Sequence, residues 1–291
     1  MPDKKITRRA AVLALGLPAM PRLHAAPLKK VGLQLYTLRN VLPKAPDATL
    51  EQVAKIGYQE VEAIRDSLAL VAPIARRLKL DIPSCHFEAA VITGRWRNAK
   101  PITIQQAADE IKGAGARYAL MPWVDVEDRG GGDVFRALAD KMNQAAEVCR
   151  KTGLQFCYHH HAFEFAPVEG QKTGMDIFLE RFDAKLVQLE VDMFWLKVAG
   201  QDPVQFLQRV KGRAPLLHVK DIAPGAPVQF NERLAPDIFK EVGSGTLNVQ
   251  AVLKAAMAAG TKHFIVEQDQ CPGDPLESVR KSFEYLKTVQ M

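Results

Sequence analysis

The sequence predicts a single α/β domain, a (β/α)8 barrel, on three observations. Eight short apolar runs recur about every 30 residues between Val31 and Glu267, the unit length of such a barrel. Four junctions repeat one grammar: an amphipathic helix, a glycine (Gly57, Gly115, Gly153 or Gly260), then an apolar strand. A glycine there takes the left-handed conformation that ends a helix and turns the chain into the next strand. No linker or low-complexity stretch interrupts residues 30–291.

The runs follow in order. The first begins at Val31 (VGLQLY) and the second at Tyr58 (YQEVEAI), just after Gly57. The third begins at Leu80 (LDIPSCHF), and the fourth at Arg117 (RYALMPW) follows Gly115. The fifth, at Leu154 (LQFCYHH), follows Gly153; the sixth starts at Leu186 (LVQLEVD) and the seventh at Pro215 (PLLHVKD). The eighth, at His263 (HFIVEQD), follows Gly260. Short apolar strands alternating with helices argue for parallel pairing through right-handed crossovers. An open doubly wound sheet is the competitor, but Arg129-Gly-Gly-Gly132 does not follow a strand as a dinucleotide fingerprint must.

The first 25 residues read as an address. Basic residues up to Arg9 precede the apolar run Ala10 to Met20, and the small residues Ala25 and Ala26 follow, the order of a secretory signal. Thr7-Arg8-Arg9 resembles a twin-arginine signal, so export, to a periplasm, is expected. The domain proper then spans 26–291, and no run is long enough to cross a bilayer. Residues 1–25 carry five basic side chains and one acidic, so they hold four of the six net positive charges. The remainder has no basic footprint for nucleic acid. The four cysteines (Cys85, Cys149, Cys157, Cys271) contain no Cys-x-x-Cys pair and read as buried free thiols.

In a barrel of this kind the active site lies at the C-terminal strand ends. Glu60 and Glu62 end the second run, and His86 ends the third. His159, His161 and then Glu164 follow the fifth; Glu190 and Asp192 end the sixth. His218 and Lys220 mark the seventh, Glu267 and Asp269 the eighth. Side chains alternate along a strand, so His159 and His161 share a face and His160 points away. So many ionisable groups on one interior face need partners, and a divalent cation satisfies imidazoles and carboxylates together. Taken singly, the residues have plainer readings: Glu60 solvated, His263 facing the helix layer, Glu190 paired with Lys220.

Six segments together carry a resemblance. They are Val-Gly-Leu-Gln-Leu-Tyr-Thr-Leu-Arg at 31–39, Tyr-His-His-His-Ala-Phe-Glu-Phe at 158–165, Leu-Glu-Val-Asp-Met-Phe-Trp at 189–195, Leu-His-Val-Lys-Asp at 217–221, Val-Gly-Ser-Gly at 242–245 and Ile-Val-Glu-Gln-Asp at 265–269. From Val31 to Leu286 the chain resembles the sugar phosphate isomerase/epimerase family of xylose isomerase-like TIM barrels, related to inosose dehydratases and ketose 3-epimerases. The resemblance implies one divalent ion (Mn, Zn, Co or Fe) held by Asp192, His218 and Glu267. His159 stands where relatives place a fourth ligand, a glutamate. It also implies His161 as base, with Glu267, Glu164 and Lys220 as further acid, base or polarising groups. Glu62, His86, Trp123 and Trp195 are the expected sugar contacts, with Phe163 a further aromatic; for Trp123, Phe163 and Trp195 core packing is an equal alternative to a sugar face. A DNA-repair branch of the fold needs histidines this chain lacks.

The implied chemistry is proton abstraction next to the carbonyl of a sugar or keto-sugar substrate, through a metal-stabilised enediolate. Isomerisation or epimerisation is the leading outcome; dehydration or lyase cleavage is the alternative on the same site. A non-catalytic carbohydrate-binding barrel is the reading from a different class.

Overall fold

The computed structural model describes residues 28, 30–97 and 100–291, so the expected export signal at 1–25 lies outside the described residues. Eight parallel strands close a barrel: β1 Gly32–Gln34, β2 Glu60–Ile64, β3 Ser84–His86, β4 Tyr118–Met121, β5 Gln155–His159, β6 Val187–Asp192, β7 Leu216–Val219 and β8 His263–Val266. Each strand pairs with its chain neighbours, and β8 closes onto β1 through Gly32 opposite Ile265 and Leu33 opposite Val266. Every expected run contains one strand. The third is the most shortened, because Pro83 has no N–H for the ladder; only an isolated Glu60–Asp81 bridge precedes Ser84.

Helices fill the outer layer, and their apolar faces pack on the strands in one large core. The helix Gly132–Thr152 ends on Gly153 (φ 79°) and Val249–Ala259 ends on Gly260 (φ 97°), the left-handed stops the sequence implied. Inside the barrel a smaller cluster, Tyr118, Leu120, Cys157, Leu216 and Ile265, fills the middle. Cys85, Cys149 and Cys157 are buried, Cys271 is half-buried, and all four are free.

The N-terminal end of the barrel corrects two expectations. Glu60 is 2% exposed, not solvated, and its Oε2 meets His263 Nδ1 at 2.9 Å inside the barrel. The alternation that sends Glu62 inward sends Glu60 inward too. Gly32 makes the room, since a Cβ there would stand 3.2 Å from Ile265 Cγ1 and 3.4 Å from Glu60 Cβ.

Two small antiparallel hairpins lie outside the barrel, Pro167–Glu169 with Lys172–Thr173 and Asp221–Ile222 with Phe239–Lys240. The second leads the chain away from β7 and back. Asp221 anchors it: Oδ1 accepts from Ile222 N (2.9 Å) and Leu247 N (3.0 Å), and Oδ2 from Gly243 N (2.9 Å) and Gly245 N (3.0 Å). Gly245 is required there, because a Cβ would fall 2.3 Å from Asp221 Oδ1. Four backbone donors would lose their acceptor together in Asp221→Ala. That change is expected to cost about 3 kcal/mol and to lower the melting temperature by roughly 5–10 °C. Calorimetry of the variant checks this, and an unchanged melting temperature would contradict it.

Candidate metal centre and pocket

The C-terminal ends of β5, β6, β7 and β8 bring His159, Asp192, His218 and Glu267 together. One donor atom from each lies within 4.8 Å of the others, and all four residues are buried. Parallel register does part of this, since it sets His159 opposite Glu190 and Asp192 opposite His218. Asp192 divides its carboxylate between two tasks. Oδ1 caps the helix Met193–Val198 by accepting from Phe194 N (2.8 Å) and Trp195 N (2.9 Å). Oδ2 forms an ion pair with Lys220 Nζ at 3.0 Å, outside hydrogen-bond geometry, and faces His218 Nδ1 at 3.7 Å and His159 Nε2 at 3.9 Å.

His218 is aimed from behind. Its Nε2–H donates to Glu62 Oε1 at 2.7 Å, which leaves Nδ1 turned toward Asp192 and Glu267. Nδ1 lies 2.9 Å from Glu267 Oε2 yet makes no hydrogen bond. Burial works against a charge on this ring, but Glu190 and Glu267 hold it well above the ordinary imidazole range. Burial likewise pushes Asp192 and Glu267 up, but Lys220 and His218 overcome it. Asp192 ends well below the carboxylate range, and Glu267 is held down to about 2. Two anionic oxygens, two imidazoles and unpartnered buried atoms among them fit a divalent ion of the Mn, Zn, Co or Fe type.

The three consecutive histidines separate as strand parity requires. His160 points into the helix layer against Phe165 and Phe206, and its Nε2 accepts the Asp192 amide at 3.1 Å. Nδ1 therefore carries the proton and donates to His161 O at 3.1 Å. Burial lowers its pKa to about 4, so the ring stays neutral. His161 stands edge-on to His159 with centroids 4.9 Å apart, and 5.1 Å from the Trp195 ring. Burial, with Lys220 second, holds its pKa well below the usual histidine range. Its Nδ1 has no hydrogen-bond partner among the described residues.

Above the ligands opens a cavity of about 520 Å³, within the range for drug-sized ligands. His86, Trp123, His159, His161, Trp195 and Glu267 line it. Its carboxylates are already engaged: Glu88 with Arg65, Glu232 with Arg129 (2.7 Å), and Glu267 (2.6 Å) and Asp269 (2.7 Å) with Lys220. His161 is the imidazole there with a free nitrogen and no carboxylate partner.

Residues 50–289 match the family model described as xylose isomerase-like TIM barrel. The chain belongs to that family. Among its relatives, the inosose dehydratase of Geobacillus kaustophilus is 23% identical over 269 residues, which cover 82% of this chain and 86% of the dehydratase. A solved sugar phosphate isomerase/epimerase from Parabacteroides distasonis is 24% identical with a TM-score of 0.74, covering 90% of this chain and 98% of its own. A solved IolI protein with a bound zinc atom is 16% identical with a TM-score of 0.70, covering 90% and 99%.

Within this xylose isomerase-like barrel some expected site residues take other places. Glu62 is fully buried beneath the ligands, where it holds His218 and does not line the pocket. Glu164 is buried too, and accepts from Tyr158 OH (2.6 Å) and His161 N (3.0 Å). Burial pushes it up to about 7, with the hydroxyl and amide pulling the other way. Glu164 sits in the 3-10 turn Phe163–Phe165 and does not line the cavity. Lys220 meets Asp192 (3.0 Å), Glu267 and Asp269, not Glu190, and does not line the cavity. Phe163 is covered by the Arg129 guanidinium, 3.5 Å above its ring. His86, Trp123 and Trp195 do line the cavity. Sequence reasoning missed Gln34, although its parity with Gly32 puts it inside the barrel. It also missed Glu232, which arrives from the excursion after β7 and carries no local signal.

Proposed function

We propose that this barrel is a metal-dependent enzyme acting on a keto sugar by removing the proton beside its carbonyl. The observation that carries the reading is the position of His161, a neutral imidazole beside the ligand set, in a pocket whose carboxylates are already paired. A divalent ion bound by His159, Asp192, His218 and Glu267 supplies Lewis-acid polarisation of a carbonyl oxygen. His161 takes the proton from the neighbouring carbon, and Trp195 and Trp123 offer faces for the sugar ring. One base favours elimination. The imidazolium formed by abstraction hands its proton to the departing β-oxygen, which leaves as water or an alcohol. Epimerisation at a single carbon instead needs a second group on the opposite face. The inosose dehydratase relatives point the same way.

Isomerisation is the second reading, favoured because one base also serves to carry a proton between adjacent carbons. The sugar phosphate isomerase/epimerase neighbour accords with it. Export, expected from residues 1–25, directs the search toward keto sugars without phosphate. The experiment is incubation of metal-loaded protein with a panel of keto sugars in heavy water, read by mass spectrometry and NMR. A product lighter by one water or one alcohol is expected. A product of unchanged composition carrying solvent deuterium replaces elimination with isomerisation. Saturable binding with neither product nor exchange leaves a sugar-binding barrel.

A further inference from the structure

Beneath the ligand set lies a second buried group, Glu62, His86 and Glu190, that touches the first through His218. We propose that these three residues are an outer shell that aims the metal-binding imidazoles, and that the centre holds one ion. They are positioning residues, and the inference rests on the metal-centre reading above. Glu62 takes the Nε2–H of His218 at 2.7 Å, which fixes the tautomer and points Nδ1 at the ion. Gln34 fixes Glu62 in turn. Its Oε1 accepts the Tyr36 amide at 3.0 Å, so its amine end must face Glu62, and it donates to Oε1 at 2.7 Å. Glu190 Oε2 lies 3.1 Å from His159 Nδ1, on the side of the ring away from Asp192, a charge contact outside hydrogen-bond geometry. His86 Nε2 ties the two carboxylates, 2.9 Å from Glu62 and 3.0 Å from Glu190.

The same residues also have a donor atom each within 4.8 Å of one another, as a second ion would need. A spacing and a proton count argue against it. Ligands about 2.0–2.1 Å from a tetrahedral ion stand roughly 3.4 Å apart. Most contacts here are hydrogen-bond lengths, 2.7, 2.9 and 3.0 Å, with His218 to Glu190 at 3.2 Å. In the first set Asp192 stands 3.7 and 3.9 Å from the two imidazoles, and the short contact is His218 to Glu267, 2.9 Å and outside hydrogen-bond geometry. A second ion would also strip the proton His218 gives to Glu62, turning a neutral ring into an imidazolate.

The test is metal stoichiometry and affinity on the whole protein loaded with Co²⁺. One ion per chain is expected in the wild type. Glu62→Gln is expected to weaken Co²⁺ binding about 10–100-fold, in competition with a chromophoric chelator, and to shift the cobalt absorption bands. His86→Gln, a second variant, is expected to do so in the same direction. Two ions per wild-type chain, falling to one in either variant, would overturn the proposal in favour of a second metal site. Wild-type affinity and spectrum in both folded variants would reduce the cluster to packing. A wild-type protein that takes up no ion would sink the metal-centre reading itself, a distinct outcome.

Discussion

His161→Gln lowers kcat by about 10²–10⁴-fold, the usual worth of a positioned acid–base group, while metal content stays at the wild-type level. Glutamine is close in size, so the packing against Trp195 and under the pocket survives. What it lacks is a nitrogen that accepts and holds a proton. KM should change little, because the residue acts on a C–H bond whose cleavage is the barrier, and not on ground-state binding. The acid side of the kcat/KM profile carries a second signature. A free histidine titrates near pH 6.5, and burial holds His161 well below that, so activity should persist at more acidic pH than an exposed imidazole base permits. Steady-state kinetics beside elemental mass spectrometry check both parts. An unchanged kcat in a metal-replete variant would remove His161 from the chemistry.

Asp192→Ala and His218→Ala are expected to abolish stoichiometric metal binding and bring turnover to background. On the metal-centre reading each residue supplies a buried donor atom held by charge contacts and no hydrogen bond among the described residues: Asp192 Oδ2, 3.0 Å from Lys220, and His218 Nδ1, 2.9 Å from Glu267. Alanine at 192 also uncaps the helix Met193–Val198, a loss of about 1 kcal/mol. Asp192→Asn separates the two effects, since an amide oxygen still caps the Phe194 and Trp195 amides without supplying the charge. Metal should stabilise the wild type by about 2.7 kcal/mol at a hundredfold excess over its dissociation constant. None of the three variants should show that shift. Thermal denaturation with and without added ion measures it, and a full shift in Asp192→Asn would place the ion elsewhere.

The convergence of His159, Asp192, His218 and Glu267 was legible because it depends on two short-range rules. Alternation along a strand separates His160 from its neighbours, and barrel closure puts the C-terminal ends of β5 to β8 at one level. The same rules brought Glu60 and Glu62 inward, but what each would meet depends on strands far away in sequence. Glu60 finds His263, 203 residues on, and Glu62 finds His218, 156 residues on. Such pairings follow from the closed barrel and the glycine at 32, not from any local pattern. The excursion after β7 was illegible for another reason. Glu232 reaches Trp123 and Arg129 from a segment without hydrophobic periodicity, held in place by the Asp221 anchor at its base.

The Asp192 amide held by His160 has a consequence for the thermodynamics of the centre. That hydrogen bond ties the ends of β5 and β6 to each other on the outer side of the barrel wall, opposite the face that carries the ligands. Capping then fixes Asp192 at the foot of a helix, and Glu62 fixes the ring of His218. These side chains are held before any ion arrives, so on the metal-centre reading ion uptake would forfeit little conformational entropy. Rigidity of this kind also narrows the choice of ion, because a pocket that cannot relax favours the cation whose preferred coordination it already has.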